Sequence, residues 1–405
     1  MAEWISKTLG ELTSFISKGI PPKYVDEENE NTIRVLNQKC NRNFEISYNE
    51  SRIHNAAVKK VPENKLLHSG DVLINSTGTG TAGRVAQIFN IPMPTTVDGH
   101  MILLRPTKEI DPLYYGYVIK SYQKKIESLA EGSTGQTEIN RQRLQDEIYI
   151  TFPKDRALQK EIGTFLFQID EKIKNNSEIN NNLEQQAQAI FKSWFVDFDL
   201  FGGNRPIDWI TGIVDDLGAE IICGKTPSTK KKEYYGGNTP FITIPDMHGC
   251  VYNVSTERYL SAAGVASQPK KTLPHNTVCI SCIGTAGLVT LVSEKSQSNQ
   301  QINSIVPKEG ISAYYIYLLM QTLSETINKL GQSGSTIVNL NKTQFGKIPV
   351  PIPSEQVLCN FDTLCKPLFE MILSNQKENI KLANLRDTLL PKLMAGELDV
   401  SDLDL

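Results

Sequence analysis

An α+β fold, with two similar globular units alternating with two long helices that pair as an antiparallel coiled coil, is predicted by three features of the sequence. The first is a seam. Ile162, Leu166, Ile169, Ile173, Asn176, Asn180, Leu183, Ala187, Ile190 and Trp194 follow one another at alternating steps of four and three. That 3.5-residue period keeps one narrow stripe of a helix facing a partner. The second is a repeat. Adding 199 to each number gives Phe361, Cys365, Leu368, Ile372, Asn375, Asn379, Leu382, Arg386, Leu389 and Leu393, with Asn at the same two places. The third is the stretch before each helix, where short apolar runs are broken by glycine and proline, as in strand-rich globular segments.

The seam also predicts register. An amide in an apolar stripe must lose water, and it is tolerated where a matching amide faces it. Antiparallel pairing sets Asn176 opposite Asn379 and Asn180 opposite Asn375. Pro367 lies inside the second helix and is expected to kink or interrupt it near its first third. The expected domains are a globular unit over 1–155, a helix over 156–200, a second globular unit over 201–354 and a second helix over 355–397. Two such units on an antiparallel helix pair have pseudo-two-fold symmetry.

Within the first unit, Trp4 to Leu12 opens the fold, and Gly19-Ile20-Pro21-Pro22-Lys23-Tyr24 is a loop that cannot continue a helix. Strands are expected at 32–36, 71–74, 84–88 and 101–104, a helix from Asp111 to Leu129, and Ile148-Tyr149-Ile150 with Pro153 leads into the long helix. Gly132-Ser133-Thr134-Gly135 reads as a flexible loop. The second unit repeats this order. Trp209 answers Trp4, Gly224-Lys225-Thr226-Pro227-Ser228 answers the first loop, and Gly284-Thr285-Ala286-Gly287 repeats Gly80-Thr81-Ala82-Gly83. Tyr314 to Leu330 repeats the helix, Gly334-Ser335-Thr336 repeats the flexible loop, and Ile348 to Pro353 repeats 148–153. Phe198 to Pro206 marks the boundary between units, and the acidic end, Asp399 to Leu405, is expected to fray.

The 405 residues carry a formal charge of −3, which excludes a wholly basic nucleic-acid binder but leaves room for local basic patches. The seven cysteines, the mixed polar start after Met1 and the lack of a long apolar run suggest a cytoplasmic protein with reduced thiols. Cys279 and Cys282 form a CxxC on a strand, where residues three apart point to opposite faces and chelate poorly.

No reactive constellation emerges. Gly78-Thr79-Gly80-Thr81-Ala82-Gly83 fits G-x-G-x-x-G, but a nucleotide turn must open a helix, and residues 84–88 read as a strand. A β-hairpin turn is the favoured reading. A nucleotide-binding enzyme using this turn is one alternative, and a helical adaptor without DNA affinity is another. The sequence has no Walker-type motif and no Asn/Asp-Pro-Pro-Tyr/Phe methyltransferase motif, and the five histidines are scattered. No catalytic residue and no metal ligand is expected.

What remains is recognition. Loops in both units set cations beside polar and aromatic side chains: Lys23, Tyr24, Asn37, Gln38, Lys39, Arg42, Lys59, Lys60, Arg84 and Arg141, then Lys225, Thr226, Lys230, Lys231, Lys232, Tyr234, Tyr235, Lys270, Lys271 and Lys342. Lys and Arg suit phosphates, while Asn, Gln and Arg suit base edges. A seam helix spans ~48 Å at ~1.5 Å per residue. That is roughly 14 base pairs at ~3.4 Å each. Two readers on such a ruler suit a two-part DNA site with an unread spacer.

These residues resemble a known family over nearly the whole chain, the specificity subunits of Type I restriction–modification systems. The resemblance is carried by Gly224-Lys225-Thr226-Pro227-Ser228 with Tyr234-Tyr235-Gly236-Gly237 and Pro240-Phe241-Ile242, and by Gly132-Ser133-Thr134-Gly135-Gln136-Thr137. It is carried further by the helix ends, 190–198 (IFKSWFVDF) and 385–393 (LRDTLLPKL). The resemblance implies two target recognition domains, each reading half of an asymmetric bipartite DNA target, and helices that act as spacer and docking surface for two methyltransferase subunits. It implies that S-adenosylmethionine and ATP are bound by partner subunits, for adenine methylation and for restriction with translocation, and that this chain carries no cofactor. The role the resemblance implies is in DNA methylation and phage defence.

Overall fold

The computed structural model describes residues 3–132, 137–332, 338–398 and 400. The flexible-loop expectations at 133–135 and 334–336, and the fraying expectation for 399–405 apart from Val400, fall outside the described residues. The chain divides into two compact units, one of 1–171 with 382–405 and one of 172–381. Each holds one globular segment and a stretch of each long helix.

In the first unit, a four-stranded antiparallel sheet runs in the order Thr13–Lys18, Met101–Pro106, Val72–Asn75, Val85–Gln87. Every residue of Val72–Asn75 is buried, as its unbroken apolar run requires. A second sheet runs Thr95–Val97, Thr32–Leu36, Arg52–Asn55, Tyr24–Val25, with its first pair parallel. Trp4–Thr8 pairs with Tyr149–Pro153 and closes the segment where the first long helix begins. Asp111 caps the helix Pro112–Ser121 by accepting from the backbone N–H groups of Leu113 and Tyr114. The expected helix over 111–129 is divided at Tyr122, whose backbone (φ −89°, ψ 2°) leaves the helical region, so Gln123–Ser128 forms a separate helix.

The second unit repeats these parts. Its main sheet runs Gly218–Cys223, Ile302–Pro307, Val278–Ser281, Val289–Val292, with an added strand Tyr252–Asn253 at the edge. A second sheet runs Tyr259–Leu260, Tyr235–Ile242, Ser296–Ser298, Thr272–Leu273. The helix over 314–330 is likewise divided, into Ala313–Thr322 and Ser324–Gly331. Cys279 and Cys282 point into different cores, one beside Ile242 and Leu273, the other beside Tyr315 and Phe345. Burial pushes both thiols up to about 12, as befits small packed groups rather than metal ligands.

The first long helix is Arg156–Phe195 and the second Glu355–Ala395. The second runs unbroken through Pro367. The interruption expected there is absent, and Pro367 lies on an exposed face, where the carbonyl that its ring displaces can reach water. In the second unit the helices run antiparallel. Asn176 Nδ2 donates to Asn379 Oδ1 at 2.9 Å, and Asn375 Nδ2 donates to Asn180 Oδ1 at 2.9 Å. Asn176 also donates to Glu378 Oε2 at 2.7 Å, and Asn379 donates to the Ile173 carbonyl at 3.2 Å. Beyond the amides, Ala187, Phe361, Cys365 and Ile372 of the seam are buried, together with Phe191, Phe195 and Phe369 beside it, while Ile190, Trp194 and Leu368 are half-buried. Each large side chain there contributes roughly 1.5–3 kcal/mol. Asn379→Leu alone is expected to cost about 1–3 kcal/mol, because one N–H of the buried Asn176 amide loses its acceptor. Asn176→Leu with Asn379→Leu should recover most of that loss while loosening register. Urea midpoints of the three variants measure the first effect, and spin-label distances along the helix pair measure the second.

Each globular segment is latched to the first long helix by a tyrosine. Tyr117 donates to Asp170 Oδ2 at 2.6 Å, and Tyr317 donates to Glu184 Oε1 at 2.7 Å. The surroundings differ. In the first unit Asp170 also pairs with Arg386, and the Lys120 ammonium lies 3.7 Å from Asp170 and 4.1 Å over the Phe44 ring. In the second unit a neutral amide, Gln321, donates to both Glu184 and Tyr317 at 2.9 and 2.8 Å.

Burial pushes Lys120 down to about 8 from 10.5, against the pull of Asp170 and with the push of Arg386. Between pH 8 and 10.5 the unfolded chain therefore holds this proton more firmly than the native state, and the Lys120 contribution to stability rises with pH across that window. Lys120→Gln should abolish that rise. Relative to the variant, the parent protein is expected to gain about 2 kcal/mol between pH 8 and its ordinary lysine range. Urea midpoints of the two proteins at stepped pH check this, and a gap that stays constant would refute it.

Candidate nucleic-acid interface

Four loops meet at one rim of each globular segment, joined by backbone hydrogen bonds that repeat between units. In the first unit, the 19–23 loop docks on the turn 98–101: Gly19 N–H donates to the Met101 carbonyl at 3.1 Å, and Ile20 N–H to the Val97 carbonyl at 2.9 Å. Ser76, which enters the hairpin turn 76–83, donates to the His100 carbonyl at 2.8 Å and accepts from Ile139 N–H at 2.8 Å. In the second unit, Gly224 donates to Ile302 at 3.0 Å, Lys225 to Ser298 at 2.9 Å, Cys282 to Gln301 at 2.8 Å, and Leu340 to Cys282 at 2.9 Å. These loops belong together because glycine allows a backbone approach that no side chain would permit. A Cβ on Gly19 would lie 2.1 Å from the Asp98 and Val97 carbonyl oxygens, and one on Gly224 2.1 Å from that of Asn299.

The Gly78–Gly83 segment joins the antiparallel strands Val72–Asn75 and Val85–Gln87, so it is a hairpin turn and opens no helix. Gly78, Gly80 and Gly83 have φ of 109°, 71° and 90°. The glycine spacing serves turn geometry, and the nucleotide-binding alternative loses its structural basis.

The sequence candidates are distributed unevenly around these rims. Arg141 and Lys342 occupy equivalent places, each the first residue of a helix capped by the preceding Asn140 or Asn341, and both are exposed. Lys225 and Thr226 lie on the docked loop, with Thr226 Oγ1 donating to Gln300 Oε1 at 2.7 Å. Tyr235 braces that loop from behind, its hydroxyl donating to the Pro227 carbonyl at 2.7 Å. Lys230, Lys231 and Lys232 are exposed just beyond it, with Lys231 bonded to the Tyr234 hydroxyl at 3.0 Å. Arg84 closes the hairpin turn by donating to the Gly80 carbonyl at 3.1 Å.

Gln38 approaches the same turn, its carbonyl accepting from Asn75 Nδ2 at 3.1 Å, and its side-chain oxygen is buried without a partner. Asn37 caps its own short helix by accepting from Lys39 N–H at 2.9 Å, a structural duty. Lys39 and Arg42 are exposed nearby, Arg42 on the small hairpin of Asn41–Arg42 with Glu45–Ile46. Lys23 N–H donates to His54 Nδ1 at 2.8 Å, and Tyr24 is covered by the Arg52 guanidinium 3.5 Å from its ring centre.

Several rim groups carried no signal in the sequence. Lys18 and Arg141 line a cleft of about 660 Å3 together with Glu131, Glu138, Asn140, Gln142 and Gln145. Lys65 Nζ donates to the carbonyls of Lys18 and Gly19 at 2.8 and 3.1 Å, and Lys18 pairs with Glu138. Burial, reinforced by the Arg141 charge, lowers both ammonium pKa values, and a nearby anion would relieve that repulsion. His100 and Gln300 were also missed. They lie one position apart on equivalent turns: the backbone bonds pair His100 with Gln301 and Gly99 with Gln300, so a repeat alignment would not have matched them. Among the described residues no cluster of His, Cys, Asp and Glu is placed to hold a metal ion, and no helix is long and apolar enough to cross a membrane. Cations, amides and hydroxyls on a twice-built rim can grip phosphates and meet base edges.

Comparison with known proteins finds that the family model of the Type I restriction modification DNA specificity domain matches residues 1–185 and again 206–360. The Type I restriction enzyme HindI specificity subunit of Haemophilus influenzae is 30% identical, over 98% of this chain and 100% of that protein. The Type I restriction enzyme MjaIX specificity subunit of Methanocaldococcus jannaschii is 25% identical, over 99% of this chain and 95% of its own length. Among solved structures, the S subunit of a Type I restriction–modification system from M. genitalium superposes with a TM-score of 0.62 at 18% identity, covering 97% of this chain and 96% of that one. That likeness is one of fold.

Proposed function

The chain belongs to the family of Type I restriction–modification DNA specificity subunits, and from that premise we propose that its two rims read the two halves of one split, asymmetric DNA sequence. The observation that carries this reading is the rim itself, built twice by the same backbone hydrogen bonds and furnished with different side chains. Equal frames hold two readers, and unequal side chains give the halves different sequences. In this reading residues 1–155 and 201–354 are the recognition domains, and 156–200 and 355–397 form the spacer. The helices dock two methyltransferase subunits that bind S-adenosylmethionine and methylate adenine, and ATP-dependent restriction subunits join the assembly. The chain itself is non-catalytic and works in the cytoplasm. Lys225, Lys230, Lys232, Arg141 and Lys342 serve the DNA backbone, with Lys18 and Lys65 supporting Arg141.

Methylome sequencing of cells with and without the gene tests the reading. One split motif should vanish on deletion, and exchange of residues 1–150 for the matching segment of a relative should change one half of it alone. A change in both halves would contradict two independent readers. DNA binding by the assembled complex should fall steeply with salt, because each neutralised phosphate releases counterions. A complex without DNA affinity would return the chain to the role of helical adaptor.

A further inference from the structure

The turns 98–101 and 299–302 are framed alike. Asp98 Oδ1 accepts from His100 N–H at 2.9 Å, and Asn299 Oδ1 accepts from Gln301 N–H at 3.0 Å. Both turns receive the glycine loop on one side and the hairpin turn on the other. The exposed side chains they present are different. The first offers His100, whose Nδ1 lies 2.9 Å from Thr77 Oγ1. The second offers Gln300, whose Oε1 accepts from Thr226 Oγ1 at 2.7 Å.

Each side chain is therefore held at one polar atom by a neighbouring threonine, His100 at Nδ1 and Gln300 at Oε1, while His100 Nε2 and Gln300 Nε2 have no partner among the described residues. Rim lysines differ, since a point charge on a flexible stem suits a phosphate and carries no base preference. A planar group with one end fixed and a donor left over is what reading a base edge requires. Gln301, which the framing bonds match with His100, is less available, because its Oε1 accepts from Asn299 Nδ2 at 3.0 Å.

We propose that Gln300, oriented by Thr226, is a base-reading side chain of the second unit and recognises adenine, and that His100, one position further along the equivalent turn and oriented by Thr77 of the hairpin turn, reads a base in the first. The proposal rests on the two-reader function above. An amide carboxamide matches adenine, with its NH2 given to N7 and its oxygen receiving N6–H. The Gln300 oxygen has two lone pairs, so the Thr226 bond leaves one for the base. Thr226 is a positioning residue, and its hydroxyl fixes which way the amide faces.

The test uses the full chain assembled with its methyltransferase subunits, with methylome sequencing and competition binding on variant DNA duplexes as readouts. Gln300→Ala should relax one position of one half-site, with discrimination there falling roughly 5- to 150-fold. Gln300→Glu keeps the shape, loses the donor and should move preference at that position from adenine towards cytosine. Thr226→Val should weaken the same position to a lesser degree, and Thr226→Ser should restore it. His100→Ala should relax a position in the other half-site and leave the first intact. Equal melting temperatures across the set establish that folding is preserved.

The proposal is overturned if Gln300→Ala leaves the motif intact, weakens all sequences evenly, or relaxes the half-site that also answers to His100. Those outcomes leave the two-reader function standing. A parent complex that methylates no split sequence would overturn both together.

Discussion

Asp170→Ala is expected to cost about 3 kcal/mol of stability. This carboxylate accepts from the Tyr117 hydroxyl, pairs with Arg386 and faces the Lys120 ammonium. The side chains of Arg386 and Lys120 are only 15% and 14% exposed, so deleting the anion leaves the Lys120 ammonium without its carboxylate and the Tyr117 hydroxyl orphaned, and strips Arg386 of one of its two carboxylates, Asp387 remaining at 2.8 Å. Breaking a buried ion pair from one side typically costs about 3–5 kcal/mol, and the partial exposure here sets the lower end. Asp170→Asn should be milder, since Tyr117 keeps an acceptor. Arg386→Ala combined with Asp170→Ala should cost less than the sum of the single changes, by about 2 kcal/mol, because the pair leaves one stranded charge fewer. Urea titrations of the four proteins decide the matter. A single loss under about 1 kcal/mol, or strict additivity, would mean that water already solvates these charges.

Gly224→Ala is expected to unseat one rim and spare the other. The new methyl would meet the backbone oxygens of Asn299 and Ser298 at 2.1 and 2.5 Å, and backbone cannot rotate out of the way. The 224–228 loop must lift, losing the bonds from Gly224 to Ile302 and from Lys225 to Ser298. Two lost hydrogen bonds and local strain amount to about 2–3 kcal/mol. Recognition of the second unit's half-site should fall at least tenfold, while the other half of the motif persists. Gly19→Ala should give the mirror result through Val97 and Asp98. Differential scanning calorimetry and methylome sequencing check the two effects. Loss of both half-sites from either variant would show that the rims are not separate readers.

The helices were legible because their information is local. A 3.5-residue period and two asparagines at fixed offsets are visible in any window of the chain, and hydrogen bonds between Asn176 and Asn379 and between Asn180 and Asn375 follow from matching like with like. The divided helix at Tyr122 was not legible. Tyr122 is an acceptable helix former, and nothing in residues 111–129 resembles a stop signal. The continuity at Pro367 was misjudged because proline's cost depends on whether its face meets water, which sequence alone does not specify. The rims were hardest to foresee. Their hydrogen bonds join segments about 20 to 80 residues apart, and Lys18, His100 and Gln300 acquire their surroundings only from that closure. Choosing cations with polar and aromatic neighbours took in Arg141 and Lys342, which open equivalent helices, along with Asn37, which caps a turn, and Tyr24, which Arg52 covers.

The tyrosine latches bear on how such a chain can acquire new specificity. A recombination junction placed just before residue 156 delivers a foreign module that carries its own residue at the place of Tyr117, while Asp170 stays with the recipient. The donor must then supply a hydroxyl there and tolerate the neighbouring Arg386, or the hybrid inherits an unanswered acid. At the other module the waiting acid is Glu184, set in a neutral amide environment, so a cassette that suits one socket is not automatically suited to the other. Shuffling between the two sockets of one gene should therefore succeed less often than shuffling between like sockets of different genes.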